Sequence, residues 1–206
     1  TTAKAPSTET GWLSKAGNAT AGSFTVEKMV KPQGGLVDMS KPAAGIMHTT
    51  EGSAFSGALS TLNANQDWPR FLVGVEASGA IRIAQFYPAG TAARSVKHTG
   101  SPPTNGWART QIEVVGFSNI GAAWQPGNPT FDALAALMAE LSKAPWSIPL
   151  IRPGGWADTY STDRRLSGVW GTDEGWYGHV EIPENDHVDP GQLRYSNLFT
   201  RAADFV

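Results

Sequence analysis

The chain has 206 residues and a mass of 21.9 kDa, with 40% hydrophobic and 17% charged residues. This composition is typical of a globular protein with a buried core and excludes an intrinsically disordered chain. The 16 basic and 18 acidic residues give a net charge of −2, which argues against nucleic acid as a partner because phosphate binding needs a basic excess. The chain has no cysteine, so disulfides, thiol nucleophiles and thiolate metal sites are excluded.

The sequence contains neither a membrane span nor a secretory signal. No apolar run approaches the roughly 18 to 20 residues that cross a bilayer, so we expect no membrane insertion. The first residues, TTAKAPSTETGW, do not contain a basic region followed by an apolar one. Because the sequence begins without methionine, we expect further domains in the full-length protein.

Residues 1–40 are rich in serine, threonine, alanine, glycine and lysine and have little periodicity. This pattern predicts a loosely structured N-terminal segment that packs on the domain through Trp12 and a few other apolar side chains. We therefore expect the folded domain to span residues 41–206.

Regular structure is predicted from residue 45 onward. Residues 45–48 form a short apolar run that ends at two threonines, which favours a buried strand. Apolar residues then recur at three- and four-residue steps from Ala54 to Leu62, which predicts a helix. Ser53 is the candidate N-cap of this helix.

A hairpin and a third strand are predicted next. Residues 71–76 and 81–86 are rich in β-forming side chains and flank a Ser-Gly pair, the composition of a hairpin turn. Residues 111–117 are a further strand candidate.

A second helix is predicted over residues 131–143, where apolar residues form a stripe and either Asn128 or Thr130 can cap the N-terminus. Residues 151–175 hold many Gly, Trp, Asp and Ser residues without a clear period, which predicts a long surface loop. Because strands and helices intermix along the chain, the fold class is α/β or α+β with a small central sheet.

One segment, residues 178–191, carries two of the four histidines, His179 and His187. Pro183 lies between them, so no continuous helix connects them and the helical zinc motif HExxH does not apply. His187 and Asp189 are two residues apart, so in an extended segment both side chains point to the same side and can address one centre.

Imidazole and carboxylate groups are ligands that zinc accepts, and a catalytic zinc site needs three of them with one position left open. The candidate ligands are His48, His179, His187 and Asp189. Spacing alone does not select three of the four. The alternative is a run of solvated polar residues in a loop.

Three motifs in this order resemble one protein family: IMHTT at residues 46–50, QIEVVG at residues 111–116 and GHVEIPENDHVDPG at residues 178–191. They are similar to the type 2 zinc-dependent N-acetylmuramoyl-L-alanine amidases, which share their fold with peptidoglycan recognition proteins. Residues 183–191, PENDHVDPG, most resemble amidase domains of phage endolysins that attack actinobacterial, especially mycobacterial, walls. The resemblance covers about residues 45–193 and implies an α/β fold with a small central mixed β-sheet flanked by helices.

The resemblance also implies roles for individual residues. Zn²⁺ would be held by His48, His179 and Asp189. Glu113 would be the general base that takes a proton from the attacking water, and His187, where many members have a lysine, would help to hold the oxyanion. Judged by its position alone, Glu113 is equally a charged residue on the exposed face of a strand.

Further residues are candidates for contact with the substrate. His98 matches a family histidine in the approach to the site, and its alternative is a loop histidine bonded to the backbone. Tryptophans in polar, glycine-rich surroundings can line a groove against sugars or peptides, or can be ordinary packing residues. They are Trp107, Trp156, Trp170 and Trp176, of which we take Trp107 and Trp176 as candidate substrate contacts.

The activity that the resemblance implies is hydrolysis of the amide bond between N-acetylmuramic acid and L-alanine of peptidoglycan. As the catalytic domain of a phage endolysin, the chain would be made in the host cytoplasm and released to the bacterial wall, where it causes lysis. Two alternatives stay open: a non-catalytic peptidoglycan-binding module of the same fold, and a zinc hydrolase for another amide.

Overall fold

The structure, a computed structural model, describes residues 11–32, 35–97, 104–119, 124–156, 158 and 168–206. Seven strands lie in these ranges: β1 Lys15–Asn18, β2 Gly22–Lys28, β3 Ala44–Thr49, β4 Phe71–Val75, β5 Ile81–Gln85, β6 Ala108–Val114 and β7 Gly175–Gly178.

The seven strands form a single mixed sheet with the order β1-β2-β5-β4-β6-β3-β7. The pairs β1/β2 and β4/β5 are antiparallel, whereas β2/β5, β4/β6, β6/β3 and β3/β7 are parallel. The described helices are α1 Phe55–Asn65, α2 Thr104–Trp107, α3 Pro129–Leu141 and α4 Tyr195–Ala203. The predicted α/β fold, with a central mixed sheet flanked by helices, is confirmed.

The main core lies between the sheet, α3 and α4. The helix α3 contacts β1, β2, β4 and β5 on one side and α4 on the other, so almost all of its side chains are buried. The helix α1 packs on β4 from the opposite face, where Phe55 and Leu72 belong to a smaller buried cluster. In the described part of the chain, no helix has the length and apolar character of a membrane span.

Most predicted elements are found. The strand at residues 45–48 is the centre of β3, and the predicted hairpin is the antiparallel pair β4/β5. The second helix, α3, is capped by Asn128, whose side chain accepts a hydrogen bond from the Thr130 N–H at 2.9 Å. The first helix starts as expected, but its N-cap is Ala54, which makes no side-chain hydrogen bond, rather than Ser53.

The predicted third strand is displaced toward the N-terminus. It was expected at residues 111–117, whereas β6 runs from Ala108 to Val114. The register of β3 against β6 shifts at its start, because Ala44 pairs with Ala108 and Gly45 with Thr110. Such a bulge adds one residue to a strand and hides its alternating pattern.

The expectation of a loosely structured segment over residues 1–40 is corrected for residues 15–28, which form β1 and β2. These two strands extend the sheet beyond β5, and Ala16 and Val26 are buried in the main core. Their sequences, KAGN and GSFTVEK, contain few large apolar residues, and so the pairing is not visible as a hydrophobic period.

We predict that Gly45→Ala destabilises the fold. A Cβ atom at Gly45 would lie 2.6 Å from the ring of Trp176, its register partner on β7. Such overpacking costs about 1–3 kcal/mol of unfolding free energy, which chemical denaturation measures. The matched control is Gly57→Ala in α1, where a Cβ meets no atom within 4 Å and alanine is expected to stabilise the helix by about 0.5–1 kcal/mol. Equal stability of the wild type and Gly45→Ala would contradict the tight packing of β3 against β7.

Candidate metal centre

Three buried side chains converge at one edge of the sheet. His48 lies near the end of β3, His179 follows the last residue of β7, and Asp189 lies in the loop beyond it. One ligand atom from each residue lies within 4.8 Å of the other two. The Nδ1 atom of His179 is 3.2 Å from Asp189 Oδ1, and the Nδ1 atom of His48 is 3.8 Å from Asp189 Oδ2. Of the four candidate ligands, the structure thus brings three together in buried positions.

The strand arrangement explains why the two histidines meet. The strands β3 and β7 are parallel neighbours, so their carboxyl ends lie at the same edge of the sheet. The imidazole rings of His48 and His179 contact each other edge to face, with ring centroids 4.3 Å apart. A backbone hydrogen bond from the Thr49 N–H to Asp189 Oδ2, 3.1 Å long, ties the carboxylate to the end of β3.

A buried ion pair holds the turn that carries His179. Residues His179–Glu181 form a 3-10 turn directly after β7. The guanidinium of Arg152 donates hydrogen bonds to the carboxylate of Glu181 and to the carbonyl of Trp176. The second oxygen of Glu181 accepts the Gly178 N–H at 2.7 Å. Both carboxylate oxygens of Glu181 are therefore paired, one with Arg152 and one with the Gly178 N–H, and they hold the turn against the end of β7.

The electrostatics of the centre suit a divalent cation. Both ring nitrogens of His48 are buried and have no hydrogen-bond partner among the described residues. Burial and the neighbouring His179 hold the pKa of His48 well below its usual value, so its imidazole is neutral. Burial alone would raise the pKa of Asp189, but the adjacent imidazoles of His179 and His48 and the Thr49 N–H lower it. Imidazole nitrogens beside an ionised carboxylate are the donor set that zinc binds.

Glu113 lies next to this centre. It is the register partner of His48 in the parallel pair β3/β6, so both side chains project from the same face of the sheet. Its Oε1 atom is 3.8 Å from His48 Nδ1. Burial raises the pKa of Glu113 to about 8, and the charges of Asp189, Glu51 and Asp67 add to this effect. A carboxyl group with a pKa in this range can both accept and release a proton near neutral pH.

His187 lies on the solvent side of the centre. Its side chain is 61% exposed, and its ring stacks on that of His179 with centroids 4.4 Å apart and an interplanar angle of 19°. Its Nδ1 atom is 3.6 Å from Asp189 Oδ1. The structure thus brings His187 to the rim of the site rather than among the buried groups.

The centre opens into a groove of about 550 Å³. Glu113, His179, His187 and Asp189 contribute to its lining, together with residues 49–54, α1 and residues 94–97. Glu113, His179 and Asp189 thus face this groove.

None of the three candidate substrate contacts is found in the described lining of the groove. Trp176 is fully buried in the main core, so its prediction as a substrate contact is wrong. Trp107 packs beside the cluster around Ile46 and lies under the Lys41 ammonium, 4.1 Å from the ring centroid, and the described lining of the groove does not include it. His98 lies outside the described residues.

Two supporting amides were not anticipated. Asn185 Oδ1 is 2.9 Å from the Nε2 atom of His179. Gln111, which shares the strand face of Glu113, lies near His48 without a hydrogen bond to it, and its amide nitrogen donates to Asn105 Oδ1 at 2.8 Å. Asn185 stands inside the motif at residues 183–191, but its role depends on contacts through space that the motif does not reveal.

No protein-family model matches the sequence, and no curated protein sequence matches it. Among solved structures, the endolysin N-acetylmuramoyl-L-alanine amidase LysCS of Clostridium intestinale superposes with a TM-score of 0.52 and 12% identity, over 87% of this chain and 95% of its own. The N-acetylmuramoyl-L-alanine amidase LysC of the same organism gives 0.51 and 12%, over 87% of this chain and 97% of its own. The chain has the amidase fold.

A third solved structure is human PGRP-IBETAC in complex with glycosamyl muramyl pentapeptide, with a TM-score of 0.45 and 16% identity over 83% of this chain and 92% of its own. At 12% identity, the likeness to the two amidases concerns the fold. What a chain with the amidase fold does depends on the residues of its own site.

We predict that Zn²⁺ stabilises the protein through the three buried ligands. A metal that binds only the folded state adds about 2.7 kcal/mol to the unfolding free energy when free Zn²⁺ is about 100 times Kd. Thermal denaturation with and without Zn²⁺ measures this increment, which should disappear in His48→Ala. The matched control is His187→Ala, which removes a neighbouring but exposed imidazole and should keep the increment. Loss of the increment in both variants would contradict this ligand set.

Proposed function

We propose that the protein is a zinc-dependent N-acetylmuramoyl-L-alanine amidase that hydrolyses the amide bond between N-acetylmuramic acid and L-alanine in peptidoglycan. The observation that carries this proposal is the convergence of His48, His179 and Asp189, with the Glu113 carboxyl 3.8 Å from His48, beside an open groove. The fold that the chain shares with two N-acetylmuramoyl-L-alanine amidases supports it.

The proposed metal ligands are His48, His179 and Asp189. Two imidazoles and one carboxylate would provide three protein ligands, the number typical of a catalytic zinc site rather than a structural one. When bound, Zn²⁺ supplies Lewis acidity, which polarises the amide carbonyl and lowers the pKa of water to about 7.

Glu113 is the proposed general base and acid. Its carboxylate takes a proton from the water whose oxygen attacks the carbonyl carbon. When the C–N bond breaks, Glu113 passes this proton to the nitrogen of the departing L-alanine. Glu113 projects from the same face as His48 and lines the groove, so its carboxyl group lies beside the proposed ligands.

His187 is the proposed partner of the oxyanion. Its ring stands over His179 on the solvent side, where a protonated imidazole donates a hydrogen bond to the developing negative charge. A lysine in this place would be a permanent cation, whereas the charge of a histidine depends on pH.

The wider role that we propose is the lytic domain of a phage endolysin acting on the bacterial wall. The motif at residues 183–191 supports this role by its resemblance to such domains. We include residues 15–28 in the proposed catalytic domain, because β1 and β2 complete the sheet.

We expect digestion of purified peptidoglycan to release new alanine amino groups and no new reducing sugar ends. A chelator should abolish this release and added Zn²⁺ should restore it. A zinc-loaded sample that binds the wall but releases nothing would favour a peptidoglycan-binding module instead. Faster cleavage of simple acyl-amino acids than of muropeptides would favour a hydrolase for another amide.

We predict that Glu113→Gln keeps Zn²⁺ and loses turnover. Removal of a general base typically lowers the rate by about 100- to 10,000-fold, and the amine-release assay measures it. The zinc content of the purified variant should equal that of the wild type, because Glu113 is not among the proposed ligands. The matched control is Glu140→Gln, at the end of α3, where Glu140 pairs with Lys143. Wild-type turnover in Glu113→Gln would remove this residue from the mechanism.

A further inference from the structure

Asn185 is a buried amide whose polar atoms are all paired. Only 3% of the residue is exposed. Its Oδ1 atom accepts the Lys97 N–H at 2.9 Å and lies 2.9 Å from His179 Nε2. Its Nδ2 group donates to the Pro183 carbonyl at 2.9 Å and to the Lys97 carbonyl at 3.4 Å. The side chain therefore links the 3-10 turn of His179 to the backbone at the rim of the groove.

These contacts fix which end of the amide faces His179. A backbone N–H can only donate, so the atom that faces the Lys97 N–H is the amide oxygen. A backbone carbonyl can only accept, so the atom that faces Pro183 is the amide nitrogen. Turning the amide over would break both bonds. The group that His179 Nε2 meets is thus an acceptor with no proton to give.

The tautomer of His179 follows from this orientation. Since Asn185 Oδ1 can only accept, His179 Nε2 must carry a proton to make the 2.9 Å hydrogen bond. In a neutral imidazole, the other nitrogen then has a free lone pair. That nitrogen, Nδ1, is the atom that faces Asp189 Oδ1 at 3.2 Å. A metal between these two residues would meet the lone pair of His179 directly.

We infer that Asn185 is a positioning residue, which holds His179 as its Nε2–H tautomer so that Nδ1 is the metal ligand. This inference deepens the function proposed above and, for its metal-binding consequence, rests on it. Hydrogen-bond acceptors behind ligating histidines fix the ring orientation and raise the basicity of the ligand. The nearest alternative role is purely structural: Asn185 would only join residue 97 to residue 183, without any effect on the imidazole.

The first arm of the test needs no metal. Long-range ¹H–¹⁵N NMR of the full chain with ¹⁵N-labelled histidine distinguishes a protonated from an unprotonated ring nitrogen. It is recorded at about pH 9, where imidazoles with a usual pKa near 6.5 are neutral. We expect His179 to be protonated at Nε2 in the wild type and to lose this preference in Asn185→Leu. Protonation of His179 at Nδ1 in the wild type would overturn the inference, whatever the protein does with zinc.

The second arm measures the Kd for Zn²⁺ by competition with a chelator. Asn185→Leu should weaken binding roughly 10- to 100-fold. The matched control is Gln85→Leu, since Gln85 is a fully buried amide that bonds to the backbone of Gly11, Leu13 and Tyr87, away from the centre. Gln85→Leu should lower stability but change the Kd by no more than about twofold. A Kd for Asn185→Leu within that range would overturn the inference.

If Asn185→Leu does not fold, Asn185→Asp tests the positioning role of Asn185 instead. A carboxylate still accepts from His179 Nε2–H, but it cannot donate to the Pro183 carbonyl. We therefore expect a less stable protein that keeps the tautomer and keeps its Kd for Zn²⁺ within about tenfold of the wild type. A folded aspartate variant in which His179 loses the Nε2 proton would overturn the inference. A wild type that binds no Zn²⁺ would contradict the proposed function, whereas the tautomer would still decide the role of Asn185.

Discussion

The parallel pairing of β3 with β6 on one side and β7 on the other is the constraint on which the site depends. Parallel neighbours end at the same edge of a sheet, so the β3/β6 register aligns His48 with Glu113 and the β3/β7 pairing brings His179 against His48. Residues far apart in the sequence thereby share one small volume. The positions of Glu113 and of the two buried imidazoles follow from these two pairings, whereas the outer strands β1 and β2 contribute Ala16 and Val26 to the main core.

The site also depends on the buried ion pair between Arg152 and Glu181. The side chains of Arg152 and Glu181 are 6% and 0% exposed, and each also bonds to the backbone around β7. A buried pair of this kind adds little net stability, but the loss of one partner leaves a buried charge that costs about 3–5 kcal/mol. Its value to the protein is geometric, because it fixes the turn from which His179 projects. The structure thus places one ion pair behind the histidine and a neutral amide beside it.

Apolar periodicity was sufficient to predict β3, the β4/β5 hairpin and α3, where long hydrophobic side chains repeat. It missed β1 and β2, which contain few large apolar residues. The helix α4 was not predicted, although Leu198, Phe199 and Ala202 follow helical spacing. For the site, spacing left four candidate ligands, and burial separates them: the side chain of His187 is 61% exposed and that of His48 is 1% exposed. Trp176 was misjudged because its glycine-rich surroundings resemble a loop, whereas Gly45 makes room for its ring. The contact of Asn185 with the backbone 88 residues earlier has no sequence signal.

The position of β7 has a consequence for local opening of the candidate metal centre. In the described sheet β7 is a terminal strand of four residues, and beyond it the Ile151 carbonyl accepts the Trp176 N–H at 2.9 Å. Both His179 and Asp189 follow this strand, so a local opening of this sheet edge would displace two of the three residues of the candidate metal centre. Local openings of this kind need less free energy than global unfolding. An ion bound here would therefore be released through opening of this edge rather than through unfolding of the core.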